Sequence, residues 1–178
     1  MLYVFGFDRV GVVMGDLYFL DPEPGEGQEG PERGVRLEVR LLERPPLHGS
    51  VYSAQPINVG APIWRGDLLE SAAGPVGSFD RTHHHPAFTG WEPCHRHFVR
   101  ELSADPQPWV AARLADLDAL LAEAGVPRDA AGPRDAEDLR AALPEIMDAL
   151  RRLLDGVHEG RLARPPDGEL ASIRAGWL

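Results

Sequence analysis

The first eighty residues show the alternation of apolar and polar side chains that is typical of β-strands. Three short strands are predicted within residues 2–20, separated by turns at residues 8–9 and 15–16. Residues 22–32 follow as an acidic segment rich in proline and glycine, which we expect to form a solvated loop.

Further strands are predicted before residue 80. In residues 35–42, valine and leucine alternate with arginine and glutamate, as in a strand that buries one face. A looser extended segment covers residues 51–59, and residues 63–69 form another strand that carries Arg65 and Asp67. Together these segments predict an antiparallel meander of roughly five strands, curved or barrel-like.

The second half of the chain has the apolar period of helices. A first helix is predicted over residues 105–125, a second over residues 135–143, and a third over residues 144–154 with Pro144 in its first turn. Residues 160–178 are interpreted as a tail.

The order of these elements predicts an α+β fold in which an N-terminal antiparallel, curved β-sheet meander packs against C-terminal helices. We expect a β-rich domain over residues 1–102 and a helical extension over residues 103–178 packed on it. A length of 178 residues suffices for one domain or for a domain with an appendage.

Charge and composition limit the functions and the cellular locations that we expect for the chain. The formal net charge is −10, and all 18 basic residues are arginine. Phosphate binding is driven mainly by positive charge, so this balance argues against an extended nucleic-acid surface and leaves room for a small positive site. The single cysteine excludes an intramolecular disulfide. No run of about 18 apolar residues is present, so we expect a cytoplasmic protein without a membrane partner.

Histidines are concentrated in one segment, residues 79–98, which contains five of the seven in the chain and the single cysteine. Imidazole changes protonation near neutral pH and binds transition metals, so this segment is the predicted site. If the chain is extended at His95-Arg96-His97, both imidazoles point to one face and the guanidinium to the other. Such a pair can act as base and acid, or as two metal ligands.

A second histidine cluster, His83-His84-His85, precedes Pro86, which favours an extended conformation for His85. Asp80 is expected to orient His85 through a hydrogen bond. Helical HExxH zinc motifs, phosphate-binding loops, nucleophile elbows and dinucleotide-binding glycine motifs are absent from the sequence.

The central segment resembles TumE-type proteins, the small toxins of a bacterial toxin–antitoxin system. Residues 63–69 match the family's Trp-Arg-x-Asp-like strand, and residues 79–86 match its Asp-x-x-x-His-His-Pro stretch. Residues 93–97 match its Pro-His-His-Lys-His segment, with Cys94 in place of the first His and Arg96 in place of the Lys. The resemblance covers about forty residues of the chain.

The resemblance implies a ribonuclease that acts on RNA by metal-independent phosphodiester cleavage. His95 and His97 would serve as general base and acid. Arg96 or Arg65 would neutralise the charge that develops on the phosphorane.

Two alternatives stay open. The first is a non-enzymatic binding or regulatory protein of a toxin–antitoxin or defence system, with a protein partner or a homodimer formed through the C-terminal helices. The second is a metalloprotein that binds zinc or another divalent transition metal through His83, His85, His95 and His97.

Overall fold

The computed structural model describes residues 1–165; the rest of the predicted tail, residues 166–178, lies outside the described residues. The main sheet is antiparallel, and its five strands are neighbours in chain order. The strands are β1 (Leu2–Gly6), β2 (Val10–Leu20), β3 (Pro31–Glu43), β4 (Asn58–Ser71) and β5 (His83–His85), and a small separate hairpin consists of β6 (Phe88–Thr89) and β7 (Glu92–Pro93). The helices are α1 (Arg100–Ala104), α2 (Pro106–Ala115), α3 (Leu117–Glu123) and α4 (Asp135–His158). The α+β prediction is confirmed.

The strands are longer than predicted. The turn predicted at residues 15–16 is wrong, because β2 continues through it and Gly15 pairs with Leu2 of β1 and Arg36 of β3. Pairing on both sides outweighs the local turn propensity of Gly-Asp. Most of the segment 51–59 lies outside the sheet, since β4 begins at Asn58. Pro56, which lacks an N–H donor, lies within this stretch.

The helices divide differently from the prediction. The first predicted helix is split at Asp116, whose side chain caps α3 by accepting a hydrogen bond from Ala119 N at 3.0 Å. The predicted boundary at Pro144 is wrong, because α4 continues through it. Pro144 and Arg140 are both exposed, so the carbonyl group that proline leaves without a donor can bond to water.

The two faces of the sheet differ in character. One face carries buried apolar side chains, among them Met14 and Leu37, which join residues of the helices in one hydrophobic cluster. That cluster includes residues from both sides of position 102. Strand alternation places charged residues on the opposite face, which we call the charged face: Arg36, Glu38, Arg65, Asp67, His83 and His85. The β6–β7 hairpin contacts this face through aromatic rings.

Trp64 links the sheet to the helices. It is fully buried, its Nε1 donates a hydrogen bond to His84 Nδ1 at 3.3 Å, and its ring stacks on Trp109 of α2. Gly66 makes room for this ring, since a Cβ atom there would lie 2.7 Å from Trp64 Cη2. The Trp64 indole can therefore occupy this position only because Gly66, two residues along the same strand, has no side chain.

Asp135, at the start of α4, attaches the helix to the turn between β1 and β2. Its fully buried carboxylate accepts hydrogen bonds from the backbone N–H groups of Asp8, Arg9 and Gly132 at 2.8, 3.1 and 2.7 Å. A single side chain thus connects the turn after the first strand to the start of the last helix.

Substitution of Gly66 by alanine should destabilise the protein by about 1–3 kcal/mol, because the added methyl group overpacks the core against the Trp64 ring. Urea unfolding would measure the change. Gly25→Ala is the control: the nearest atom to its Cβ is 3.5 Å away in an exposed loop. Equal stability of the two variants would contradict this account of Gly66.

Candidate metal centre

Strand β5 places His83 and His85 on the charged face. It pairs with β4 in a register that sets Asp67 opposite His83 and Arg65 opposite His85. Residues two apart on a strand point to the same side, so Asp67 and the two imidazoles share one face. Pro86, which has no N–H donor, follows the strand directly.

Asp67, His83 and His85 converge on one point. The Nε2 atoms of His83 and His85 lie 3.4 and 3.6 Å from Oδ2 of Asp67. All three side chains are buried, with relative exposures of 2 % for His83, 5 % for His85 and 0 % for Asp67. One candidate ligand atom from each residue lies within 4.8 Å of the others, which is close enough for the three residues to share one metal ion.

Backbone carbonyl groups orient both rings. Nδ1 of His83 lies 2.8 Å from the carbonyl oxygen of Arg81, and Nδ1 of His85 lies 2.6 Å from that of Cys94. A carbonyl only accepts hydrogen bonds, so we assign the ring proton to Nδ1 in each case. In the neutral rings both Nε2 lone pairs then face a carboxylate oxygen, an arrangement that requires a proton or a metal ion between them.

Asp67 is held as a carboxylate by Arg36. The guanidinium donates from Nε to Oδ1 at 2.7 Å and from Nη2 to Oδ2 at 3.2 Å. Burial alone would raise the pKa of Asp67, but the positive charge of Arg36 and its hydrogen bonds to the carboxylate hold that pKa well below its usual value. The oxygen that faces the histidines is therefore anionic.

Asp80 does not occupy the position predicted for it. Its Oδ1 accepts hydrogen bonds from Ser71 N at 2.9 Å and Ser78 Oγ at 2.8 Å, so it closes the turn that leads to β5. The carboxylate that faces His85 belongs to Asp67, because antiparallel pairing of β4 and β5 brings that strand residue alongside.

His95 and His97 lie outside this cluster. Both are exposed, and the ring of His97 packs against that of His84 with centroids 5.6 Å apart. The backbone of His97 also pairs with His84 through hydrogen bonds of 2.9 and 3.0 Å. Of the four histidines predicted to share a metal, the structure brings together His83 and His85 and adds Asp67.

Arg96 and Arg65 are engaged by carboxylates. Arg96 turns away from the exposed imidazoles and bonds to Asp21 at 2.9 Å and Glu32 at 3.1 Å. Arg65 donates from Nε to Glu38 at 2.7 Å. The positive charge of each guanidinium is therefore already paired with a carboxylate before any substrate phosphate binds.

His84 points to the opposite face from its two neighbours. Its Nδ1 accepts the hydrogen bond from Trp64, and its ring lies 5.1 Å from that of Trp109. Burial, followed by the positive charge of Arg113, lowers the pKa of His84 to about 4. The residue is a neutral packing element and takes no part in the cluster of Asp67, His83 and His85.

Asp67 is the site residue that the sequence did not assign. The sequence feature that could have indicated Asp67 is the charged residue at every second position of two apolar strands, at residues 36, 38 and 40 and at residues 65 and 67. Charged groups on a buried face must find partners. The pairing of Asp67 with His83 depends on a strand register that spacing along the chain does not reveal.

Comparison of the chain with protein-family models, with curated proteins and with solved structures finds no match. The resemblance of the central segment to TumE-type toxins therefore stays a prediction. Within residues 1–165, no helix has the length and apolar character needed to cross a membrane.

The low pKa of His84 should make the protein less stable in acid. The fold favours neutral imidazole, so the stabilisation is complete above pH 6.5, the usual pKa, and is lost as the pH falls towards 4. The wild type should lose about 2 kcal/mol more than His84→Gln between pH 7.5 and 5.

Urea unfolding of metal-free wild type and variant at the two pH values would measure this difference. Glutamine keeps an acceptor for Trp64 Nε1 but does not titrate, so contributions of all other groups cancel in the comparison. The same loss of stability in both proteins would mean that His84 titrates normally.

Proposed function

We propose that the protein is a metal-dependent hydrolase whose metal ion is held by Asp67, His83 and His85. The observation that carries the proposal is the convergence of two histidine Nε2 atoms on one carboxylate oxygen, with both Nδ1 atoms bonded to backbone carbonyls. Metal-bound histidines commonly have this second hydrogen bond.

The spacing of the ligand atoms fits a small divalent ion. Four ligands about 2.1 Å from a tetrahedral zinc ion lie about 3.4 Å from one another. The two separations from Asp67 Oδ2 are 3.4 and 3.6 Å. Two imidazoles and one carboxylate are suitable donors for Zn²⁺ and for other first-row divalent metals.

Three protein ligands favour catalysis over a purely structural role, since catalytic zinc sites keep one position for water or substrate. A bound metal supplies an activated water near neutral pH and polarises a phosphoryl or carbonyl oxygen. Around it, the carbonyls of Arg81 and Cys94 keep the rings aligned and Arg36 keeps the carboxylate ionised. Phe98, half exposed, lies 5.4 Å from the His83 ring and borders the cluster.

RNA is the substrate class that the TumE-type resemblance implies, and metal-independent cleavage by His95 and His97 is the second candidate. The observation that favours this second candidate is the exposure of both imidazoles, which leaves them accessible to a polynucleotide. Against it stand the carboxylate partners of Arg65 and Arg96.

A toxin–antitoxin role would also require a partner protein. Among residues 1–165, the exposed large apolar side chains lie in strands and loops and none lies in α1–α4. A partner or second copy bound through the helices would therefore meet mainly polar side chains.

Tag-free protein should bind close to one Zn²⁺ per chain, and Asp67→Asn or His83→Gln should lose this binding. Removal of a ligand is expected to weaken affinity by more than the roughly 10–100-fold cost of a second-shell change. His95→Gln and His97→Gln are the matched controls and should bind zinc like the wild type. Equilibrium dialysis with elemental analysis measures the stoichiometry; zinc lost equally from the controls would contradict this ligand set.

Incubation with mixed RNA, with and without chelator, separates the two mechanisms. Cleavage that stops on chelation, returns with Zn²⁺ and is lost in Asp67→Asn would support the metal centre. Cleavage that survives chelation but vanishes in the His95→Ala/His97→Ala double variant would assign the chemistry to the exposed histidines. Zinc binding without RNA cleavage by any variant would exclude RNA as the substrate.

A further inference from the structure

We infer that the metal centre, once loaded, takes an anionic oxygen ligand at its open position, so that its substrate presents a phosphate or carboxylate group to the metal. This inference rests on the proposed metal centre and names the class of substrate that the centre accepts. The inference is based on the balance of charge around Asp67.

The protein ligands supply no net negative charge. The carboxylate of Asp67 is matched by the guanidinium of Arg36, which bonds to both of its oxygens. His83 and His85 are neutral ligands when the proton of each ring is on Nδ1. A divalent ion would therefore bring two positive charges to a set of groups whose charges already cancel.

The surrounding charged face does not supply the missing negative charge. Glu38 bonds to Arg40 at 2.6 Å and to Arg65 at 2.7 Å, and Glu32 bonds to Arg96 at 3.1 Å. Among residues 1–165, the ion pairs on and around the charged face contain four carboxylates and four guanidiniums: Asp21, Glu32, Glu38 and Asp67 with Arg36, Arg40, Arg65 and Arg96. Their sum is zero.

An uncompensated divalent charge is costly among buried side chains. Hydroxide would neutralise one of the two charges, and the anionic group of a substrate can do the same in its place. A neutral ligand such as an amide cannot. The buried pairing of Asp67 with Arg36 thus favours an anionic ligand over a neutral one at the metal.

Arg36 sets this preference, and its removal should have two opposite effects. In Arg36→Gln the charge of Asp67 is free to compensate the metal, while the amide keeps a hydrogen bond within reach. The variant should bind the metal about tenfold more tightly or better, and bind an anion at the metal about tenfold more weakly or worse. Arg151→Gln removes the same charge from an exposed position on α4 and should change neither affinity.

The test uses the 178-residue chain loaded with Co²⁺, whose visible absorption bands respond to a change of ligand. Inorganic phosphate, acetate and the neutral isostere acetamide would be titrated separately in a non-coordinating buffer. We expect a saturable change with phosphate or acetate and none with acetamide. The stronger of the two anions identifies a phosphate or a carboxylate substrate.

The outcomes separate the two proposals. Failure of the wild type to bind Co²⁺ would overturn the metal centre itself. A wild type that binds Co²⁺ but responds to neither anion, or as strongly to acetamide as to acetate, would overturn this inference and leave the metal centre standing. Equal anion affinities in Arg36→Gln and wild type would also overturn it. If urea unfolding shows that Arg36→Gln does not fold, the acetate–acetamide comparison in the wild type decides.

Discussion

Charge buried on one face of a sheet must be paired, and this requirement organises the protein. Arg36 lies directly opposite Asp67, and Glu38 directly opposite Arg65, across β3 and β4. A shift of one residue in this register would separate both pairs and also turn the apolar face, with Leu37, away from the helices. The two faces therefore specify the same register for independent reasons, hydrophobic burial on one side and ion pairing on the other.

The histidine cluster follows from that register. Once Arg36 fixes the carboxylate of Asp67, the short pairing of β5 with β4 is enough to bring His83 and His85 to it. The carbonyls that orient the rings come from chain segments on either side of β5. The site is thus assembled by backbone pairing, with no need for a long loop to close over it.

The features that depend on local pattern could be predicted from the sequence. Alternation gave the strands, the helical period gave the C-terminal helices, and clustering of histidine gave the place of the site. Features that depend on distant partners could not be predicted. Asp16 sits within a local turn signal, yet its carboxylate accepts a hydrogen bond from Ala163 N at 2.8 Å, 147 residues away. The sequence predicted a strand that carries Asp67, but it did not predict that His83 would pair with this residue.

The three hydrogen bonds accepted by Asp135 have a consequence for the newly made chain. The turn that contains Asp8 is synthesised 127 residues before the carboxylate that binds it, which at ribosomal rates is an interval of roughly 6–25 s. Throughout that time α4 is missing from the apolar face of the sheet, which α1–α3 cover only in part. A nascent chain released before Asp135 would expose apolar side chains of an incomplete core. The core is complete only after α4 is made, when almost all of the described chain has been translated.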